Sequence, residues 1–246
     1  VMPRFFVKPE AVNGDQIEIT GNDVNHIKNV LRMNVGEEIS VSDGAGKDYF
    51  GKIEQMDKSA IFVHIENSWD SYVELPAKLY LFQGLPKADK MELIIQKAVE
   101  LGVYAIVPVV MKRTIVKLDA KKEAKKLTRW QQIAESAAKQ SGRGLIPEVM
   151  APVSFKEALN MASELEAAVL PYEKASGMED ARTLVHSMRD KKSIGIFIGP
   201  EGGFDESEVE AAIAQGVHTM TLGRRILRTE TAGLTALSIL MFELDN

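Results

Sequence analysis

The chain has 246 residues, 45% hydrophobic and 26% charged, which suits a globular protein of one large or two modest domains. It contains no cysteine, which excludes disulfides, thiolate zinc sites, iron–sulfur clusters and every mechanism built on a Cys nucleophile. The formal net charge is −5, so the whole chain is no polycation, and no apolar run has the length needed to span a bilayer.

The opening VMPRFFVKPEAVNGD lacks the charged, apolar, small-residue order of a signal peptide. Met2 reads as the natural start with Val1 added, and a cytoplasmic location is expected. The first seventy or so residues read as short strands, RFFV, QIEIT, EEISVSD, YFGKIEQM and AIFVHIE, with one helical piece from about Asp23 to Met33. Turn signals at Asn13-Gly14-Asp15, Asp43-Gly44-Ala45-Gly46 and Asp57-Lys58-Ser59 separate them, a small β-barrel pattern. The stretch from Ser68 to Pro76 reads as a linker.

After the linker the rhythm changes. LYLFQG is a strand, and Lys87 to Leu101 is a helix with Met91, Ile94, Ile95, Ala98 and Leu101 on one face, stopped by Gly102. YAIVPVV is a strand, and Lys121 to Ser141 a long amphipathic helix. AAVLP is a strand, Ala181 to Arg189 a helix, and SIGIFIG a strand apolar enough to be buried on both faces. A helix begins at Asp205, with Glu208 placed for a capping box and Gly216 at its end. VHTMTLG is the last strand, and a helix from about Thr231 closes the chain. Strands alternating with helices predict an α/β domain with a parallel sheet.

Charge is uneven along the chain. From Lys112 to Arg129, eight basic residues (Lys112, Arg113, Lys117, Lys121, Lys122, Lys125, Lys126 and Arg129) stand against Asp119 and Glu123. A basic stripe on an acidic protein suits a polyanionic partner, and equally a solvated helix face. His64, His186 and His218 sit in no ligand pattern and read as structural; no metal site is expected.

Two segments carry chemistry. In IFIGPEGGFDESE an apolar strand runs through a glycine-rich turn into a capped helix, and ligands of α/β sheets sit at such strand ends. It is neither a dinucleotide fingerprint nor a P-loop, so a tight strand-to-helix turn is the plain alternative. In LGRRILRTETAGLTAL three arginines, Arg224, Arg225 and Arg228, precede Thr229, Glu230 and Thr231 at a helix start. The threonines there can cap the helix, and arginines at a strand end can contact phosphate or carboxylate.

Together these segments resemble the SPOUT methyltransferases, and most closely the family that methylates N3 of a uridine in 16S ribosomal RNA. The resemblance runs along nearly the whole chain, through MPRFFV, HIKNVLRMNVGEEISVSDG, KADKMELIIQKAVELGV and RWQQIAESAAKQSGR. It implies an N-terminal PUA-like RNA-binding β-barrel domain over residues 1–72 and a SPOUT α/β domain with a trefoil knot over 73–246. It implies a homodimer acting on 16S rRNA of the small ribosomal subunit, with no membrane and no metal involved. S-adenosyl-L-methionine would be held by Leu170, Pro171, Ile198, Gly199, Pro200, Glu201, Gly202, Leu222, Gly223, Ile226, Leu227, Thr231 and Ala232. RNA contacts are expected from Arg4, His26, Lys28, Arg32, Arg113, Arg129, Lys139 and Arg143, although the helix bearing His26 reads as well as an ordinary surface helix.

Methylation at pyrimidine C5 generally needs a cysteine, so direct displacement at nitrogen or oxygen remains. Uracil N3 must lose a proton before it attacks, which calls for a base or a group that stabilises the uridinate. Arg228 is the first candidate for that stabilisation, and Glu230 a candidate base that also suits a structural place at the helix start. Three alternatives stand beside this reading. A SPOUT ribose 2′-O-methyltransferase would show an Asn-rich motif where this chain has ILRTETA. A non-enzymatic RNA-binding or ribosome-assembly protein needs no cofactor loop, and a doubly wound nucleotide-binding protein should show a phosphate fingerprint.

Overall fold

A computed structural model describes residues 2–116, 119–175 and 177–245. Two compact units divide the chain: residues up to Glu74 with Ala138–Ile146, and Leu75–Ala137 with the chain from Pro147 onward. The short segment Ala138–Ile146 thus joins the N-terminal unit, a membership that no composition shift announces.

The N-terminal unit is a six-stranded curled sheet. Its strands are β1 (Arg4–Phe6), β2 (Val12–Asn13), β3 (Gln16–Thr20), β4 (Glu38–Ser42), β5 (Lys47–Met56) and β6 (Ala60–Asp70), ordered β1-β4-β5-β6-β3-β2. Only β1 with β4 is parallel; the other pairings are antiparallel. Period-two alternation is plain in β3, where Ile17 and Ile19 are buried and Glu18 and Thr20 exposed. These isoleucines pack with Phe5, Val24, Ile27, Ile39, Val41, Ile53, Ile61 and Val63. β6 runs on to Asp70, so the expected linker begins later than Ser68.

The expected helix from Asp23 to Met33 is shorter and irregular. α1 covers Asn22–Asn25, and one π-helical stretch, His26–Val30, follows. Arg32 then takes φ 55°, a left-handed conformation that ends the helix where a glycine would be ordinary.

Arg143 decides how the segment after the long helix is held. It is 5% exposed, and its guanidinium donates to the Glu74 carboxylate through Nε and Nη2. Glu74 Oε1 also accepts from the backbone N–H of Gly144 at 3.0 Å and of Leu145 at 3.1 Å. Arg4 donates to Asp48 Oδ1 at 2.6 Å and to the Arg143 carbonyl at 3.0 Å. Arg143 is a structural member of a buried network, which corrects the expectation that it is presented to RNA; Arg4, its side chain 23% exposed, is tied into the same network.

The second unit carries a parallel sheet. Its strands are β7 (Lys78–Gly84), β8 (Ala105–Val110), β9 (Glu148–Val149), β10 (Val153–Ser154), β11 (Ala167–Pro171), β12 (Ser193–Ile198) and β13 (His218–Met220). The order is β10-β8-β7-β12-β11-β13, with β9 also on β8, and every pairing is parallel. Five consecutive buried residues in each of β8 and β12 fit strands covered on both faces. The helices are α2 (Lys90–Glu100), α3 (Ala120–Ser141), α4 (Phe155–Ser163), α5 (Met178–His186), α6 (Glu206–Ala214) and α7 (Thr229–Leu244). α4, unforeseen in the sequence, opens on a capping box between Ser154 and Glu157. The box expected at Asp205 and Glu208 is present at the start of α6. Phe82 and Phe197 stack at 4.5 Å between centroids, side by side in the middle of the sheet, and Trp130 of α3 is 2% exposed.

Breaking a buried ion pair from one side leaves the other charge stranded. Arg143→Ala should therefore lower unfolding free energy by about 3 kcal/mol in a denaturant titration. An unchanged stability would remove Arg143 from the network and return it to the expected surface role.

Candidate active site

The carboxyl ends of β11, β12 and β13 lie together in the sheet, and the chain segments leaving them enclose a cavity of about 460 Å³. Pro171 ends β11, with Tyr172 and Glu173 just after it, and Ile198 ends β12, with Gly199 to Phe204 following. Thr221, Leu222 and Gly223 follow β13, and Arg225 to Thr229 with Ala232 complete the wall. This is where parallel sheets place ligands, and the volume lies in the range of small-molecule sites.

Close approach explains the glycines. A Cβ on Gly84 would sit 2.6 Å from the nitrogen and Cδ of Pro200, so only glycine lets the end of β7 lie under the Gly199–Pro200 peptide. Gly203 takes φ +67°, which turns the loop back toward α6. The Gly203 N–H donates to the Pro200 carbonyl at 2.9 Å and closes that turn.

Charges brace the loop from the side. Glu201 Oε1 accepts from the Lys87 N–H at 3.0 Å and meets Lys90 Nζ at 3.1 Å. Burial by itself raises the Glu201 carboxyl, but its own N–H, the Lys87 N–H and the Lys90 ammonium outweigh it and hold it below the usual range. Lys90 is shifted up, first by its bond to Glu201 and less by Glu230. Lys90 Nζ also lies 3.5 Å from Glu230 Oε2, an oxygen that has no hydrogen bond. On the other flank Arg113 Nη1 donates to the Gly202 carbonyl at 2.9 Å, and the Lys112 N–H donates to Glu208 at 2.8 Å.

Most of the residues expected around the cofactor line this cavity: Pro171, Ile198 to Gly202, Leu222, Gly223, Ile226, Leu227 and Ala232. Leu170 is instead fully buried in the core, and Thr231 faces solvent on the first turn of α7. Arg228 lines the cavity as the N-cap residue of α7, while Glu230 lies outside the lining, beside Lys90. Glu230 is thereby a member of the bracing ion pairs. The expected threonine cap is absent: α7 starts at Thr229, the N-cap residue Arg228 makes no side-chain capping bond, and the Thr229 hydroxyl donates to the Gly199 carbonyl at 2.6 Å.

Gly203, Phe204, Arg225 and Thr229 also line the cavity, inside the two segments singled out though not among the residues assigned to the cofactor. Tyr172, Glu173 and Thr221 line it from one or two residues beyond the expected stretches. Of the remaining candidates, His26 is exposed and packs edge-on to Phe5 at 5.8 Å, and Lys28 donates to the Asp57 carbonyl. Arg32 is exposed, Arg129 pairs with Glu92 at 3.3 Å, and Lys139 with Asp23 at 3.6 Å. Lys121, Lys122 and Lys125 are exposed on α3, and Lys126 lies over the Trp130 ring; Lys117 falls outside the described residues.

Comparison with known proteins gives this geometry a family. An RNA methyltransferase domain matches residues 73–241, and an RNA methyltransferase PUA domain matches residues 19–66. The ribosomal RNA small subunit methyltransferase E of Bacillus subtilis is 39% identical over 99% of this chain and 98% of its own. A crystal structure of the enzyme of that name from Neisseria gonorrhoeae, bound to S-adenosyl methionine, is 36% identical with a TM-score of 0.83 over 98% of both chains. A methyltransferase structure from Legionella pneumophila with bound SAM is 33% identical, again with a TM-score of 0.83 over 98% of both chains. The chain, with its PUA domain and its cavity at the ends of three parallel strands, belongs to the RNA methyltransferase family that includes the ribosomal RNA small subunit methyltransferases E.

Proposed function

We propose that this protein transfers a methyl group from S-adenosylmethionine to N3 of a uridine in 16S ribosomal RNA, and does so as a cytoplasmic homodimer. The observation that carries the reading is the cavity itself, lined by the glycine-rich turn, apolar side chains and charged groups that include Arg228, in a chain alike over its full length to proteins solved with that cofactor. A protein that only bound RNA would have no use for such a cavity. The trefoil knot belongs to the same proposal, supported by the three loops that wall the cavity together.

The residues present suit the cofactor. Ile198, Leu222, Ile226 and Leu227 offer apolar surface, and the close-packed turn from Gly199 to Gly203 offers backbone groups without side-chain obstruction. When bound, S-adenosylmethionine supplies an electrophilic methyl group on a sulfonium. The chain's task is then placement of the target base and management of one proton. Absence of cysteine leaves direct displacement at nitrogen or oxygen, and for a uridine N3 target the attacking atom is the deprotonated ring nitrogen. The Arg228 guanidinium would favour the uridinate by placing positive charge beside a carbonyl oxygen of the ring. N3 lies on the Watson–Crick edge, so the target uridine must be unpaired or turned out of its stack.

The PUA domain and the exposed lysines of α3 would hold the RNA backbone. Of the single residues expected there, the partly exposed Arg4 and His26, Lys28, Arg32, Arg113, Arg129 and Lys139 stay in the proposal, and the buried Arg143 leaves it.

Mass mapping of unmodified 16S rRNA incubated with the protein and S-adenosylmethionine should find one new methyl group on a uridine N3. A methyl group on ribose, or none, would remove the reading. Arg228→Ala should slow methyl transfer by about 100-fold, the usual effect of losing one donor to a developing anion, while calorimetric affinity for S-adenosylmethionine stays near the wild type; unchanged turnover would take Arg228 out of the chemistry. Replacing Lys121, Lys122, Lys125 and Lys126 by glutamine should weaken RNA binding and flatten its dependence on salt. An unaltered slope would leave that stripe as a solvated helix face.

A further inference from the structure

Gln83, at the carboxyl end of β7, is wholly buried and lies outside the cavity lining. A buried glutamine has two N–H donors and a carbonyl to satisfy. Its Nε2 donates to the Gly84 carbonyl and to Thr229 Oγ1, each at 2.9 Å. Thr229 has a single hydroxyl proton, which goes to the Gly199 carbonyl at 2.6 Å. Its oxygen can therefore only accept from Gln83, and the amide nitrogen has to be the end that faces it. That orientation leaves Gln83 Oε1 with no hydrogen-bond partner. An apolar side chain of the same length would fill this space with no orphaned acceptor, so packing does not account for the glutamine.

The relay Gln83 to Thr229 to Gly199 ends on the wall of the cavity. Gly199 and Pro200 line it, and the Gly199 carbonyl belongs to the peptide that joins them. Thr229 lines it too and directly follows Arg228, the N-cap residue of α7, whose side chain makes no capping bond. The same Gly199–Pro200 peptide is pressed from below by Gly84. Two consecutive residues of β7 thus set one peptide of the cavity wall, one by contact and one by hydrogen bonds.

We propose that Gln83 is a positioning residue for methyl transfer. Through Thr229 it pins the Gly199–Pro200 peptide to the first residue of α7, and so fixes where Arg228 stands relative to the cavity. The proposal rests on the methyltransferase reading above. Gln83 touches no substrate; its effect is on alignment, where a displacement of about 1 Å can cost 100-fold in rate.

The test uses the full-length protein and four variants: Thr229→Ser, Thr229→Val, Gln83→Met, and Gln83→Met with Thr229→Val. Single-turnover methylation of 16S rRNA and calorimetric binding of S-adenosylmethionine are measured for each. Thr229→Val and Gln83→Met should each slow methylation by about tenfold or more, a misalignment effect, with affinity for S-adenosylmethionine close to the wild type. Thr229→Ser keeps the hydroxyl that links Gln83 to Gly199 and should be slowed far less than Thr229→Val. The double variant should be no slower than the slower single one, because the relay fails as a unit. The relay is overturned if Thr229→Ser is as slow as Thr229→Val, if the two losses add, or if rate and affinity fall in parallel. Should Gln83→Met not fold, the serine and valine variants at 229 decide alone. A wild type that neither binds S-adenosylmethionine nor methylates RNA would remove the functional reading beneath; an active wild type matched by Thr229→Val and Gln83→Met would remove the relay alone.

Discussion

The register of β12 on β7 is the constraint from which the cavity follows. Six consecutive pairs, from Ser193 with Lys78 to Ile198 with Gln83, bring the two strands to the same level at their carboxyl ends. Gly84 therefore meets Pro200, and the amide of Gln83 comes level with the loop that β12 feeds. A slip of one residue would move Gln83 to the other face of the sheet and set a side chain where the Gly199–Pro200 peptide lies. Stacking of Phe82 on Phe197, next to each other across the same pair of strands, resists such a slip by filling the core beside them. The cavity is thus moulded by the most buried strands of the unit.

Once the loops are placed by packing, electrostatics secures them. Lys90 stands between Glu201 of the glycine-rich turn and Glu230 of α7, so one ammonium serves two segments of the site. Arg113 and Lys112 hold the far side of the turn through Gly202, Asp205 and Glu208. The groups are partly exposed, so each pair contributes little to global stability. Their value lies in register: they keep the wall of the cavity in one arrangement while leaving Arg228 unengaged by any of these carboxylates. A guanidinium already committed to a protein carboxylate would have less field to offer a developing anion. Arg143 shows the opposite use of the same side chain. Its planar fork is buried against Glu74, where it joins the turn after α3 to the segment that follows β6.

Sequence and structure part company at instructive places. The helix expected over Asp23 to Met33 has an apolar face, Val24, Ile27 and Met33, that does reach the core. Periodicity nonetheless could not foresee the π-helical stretch or the left-handed Arg32, because backbone that departs from the regular helix is set by what the segment packs against. Arg4 and Arg143 were indistinguishable in the sequence from arginines offered to RNA. Their partners, Asp48 and Glu74, are 44 and 69 residues away. Thr229 was read as a helix cap because threonine at a helix start usually is one; the carbonyl that takes its proton, Gly199, lies 30 residues earlier.

By itself the sequence determined the two-part organisation, the parallel α/β character of the longer part, the glycine and arginine segments that wall the site, and, through the lack of cysteine, direct displacement as the open route to methylation. All of these are local or compositional: periodicity, turn residues and inventory are written along the chain. What only the tertiary structure decided is which polar groups are already engaged. Gln83 was one more residue of an apolar strand, Glu230 a possible base and Arg143 a possible RNA contact until their partners were known. The physical reason is that a polar side chain's task depends on what it meets after desolvation, and those neighbours come from segments far apart in the chain.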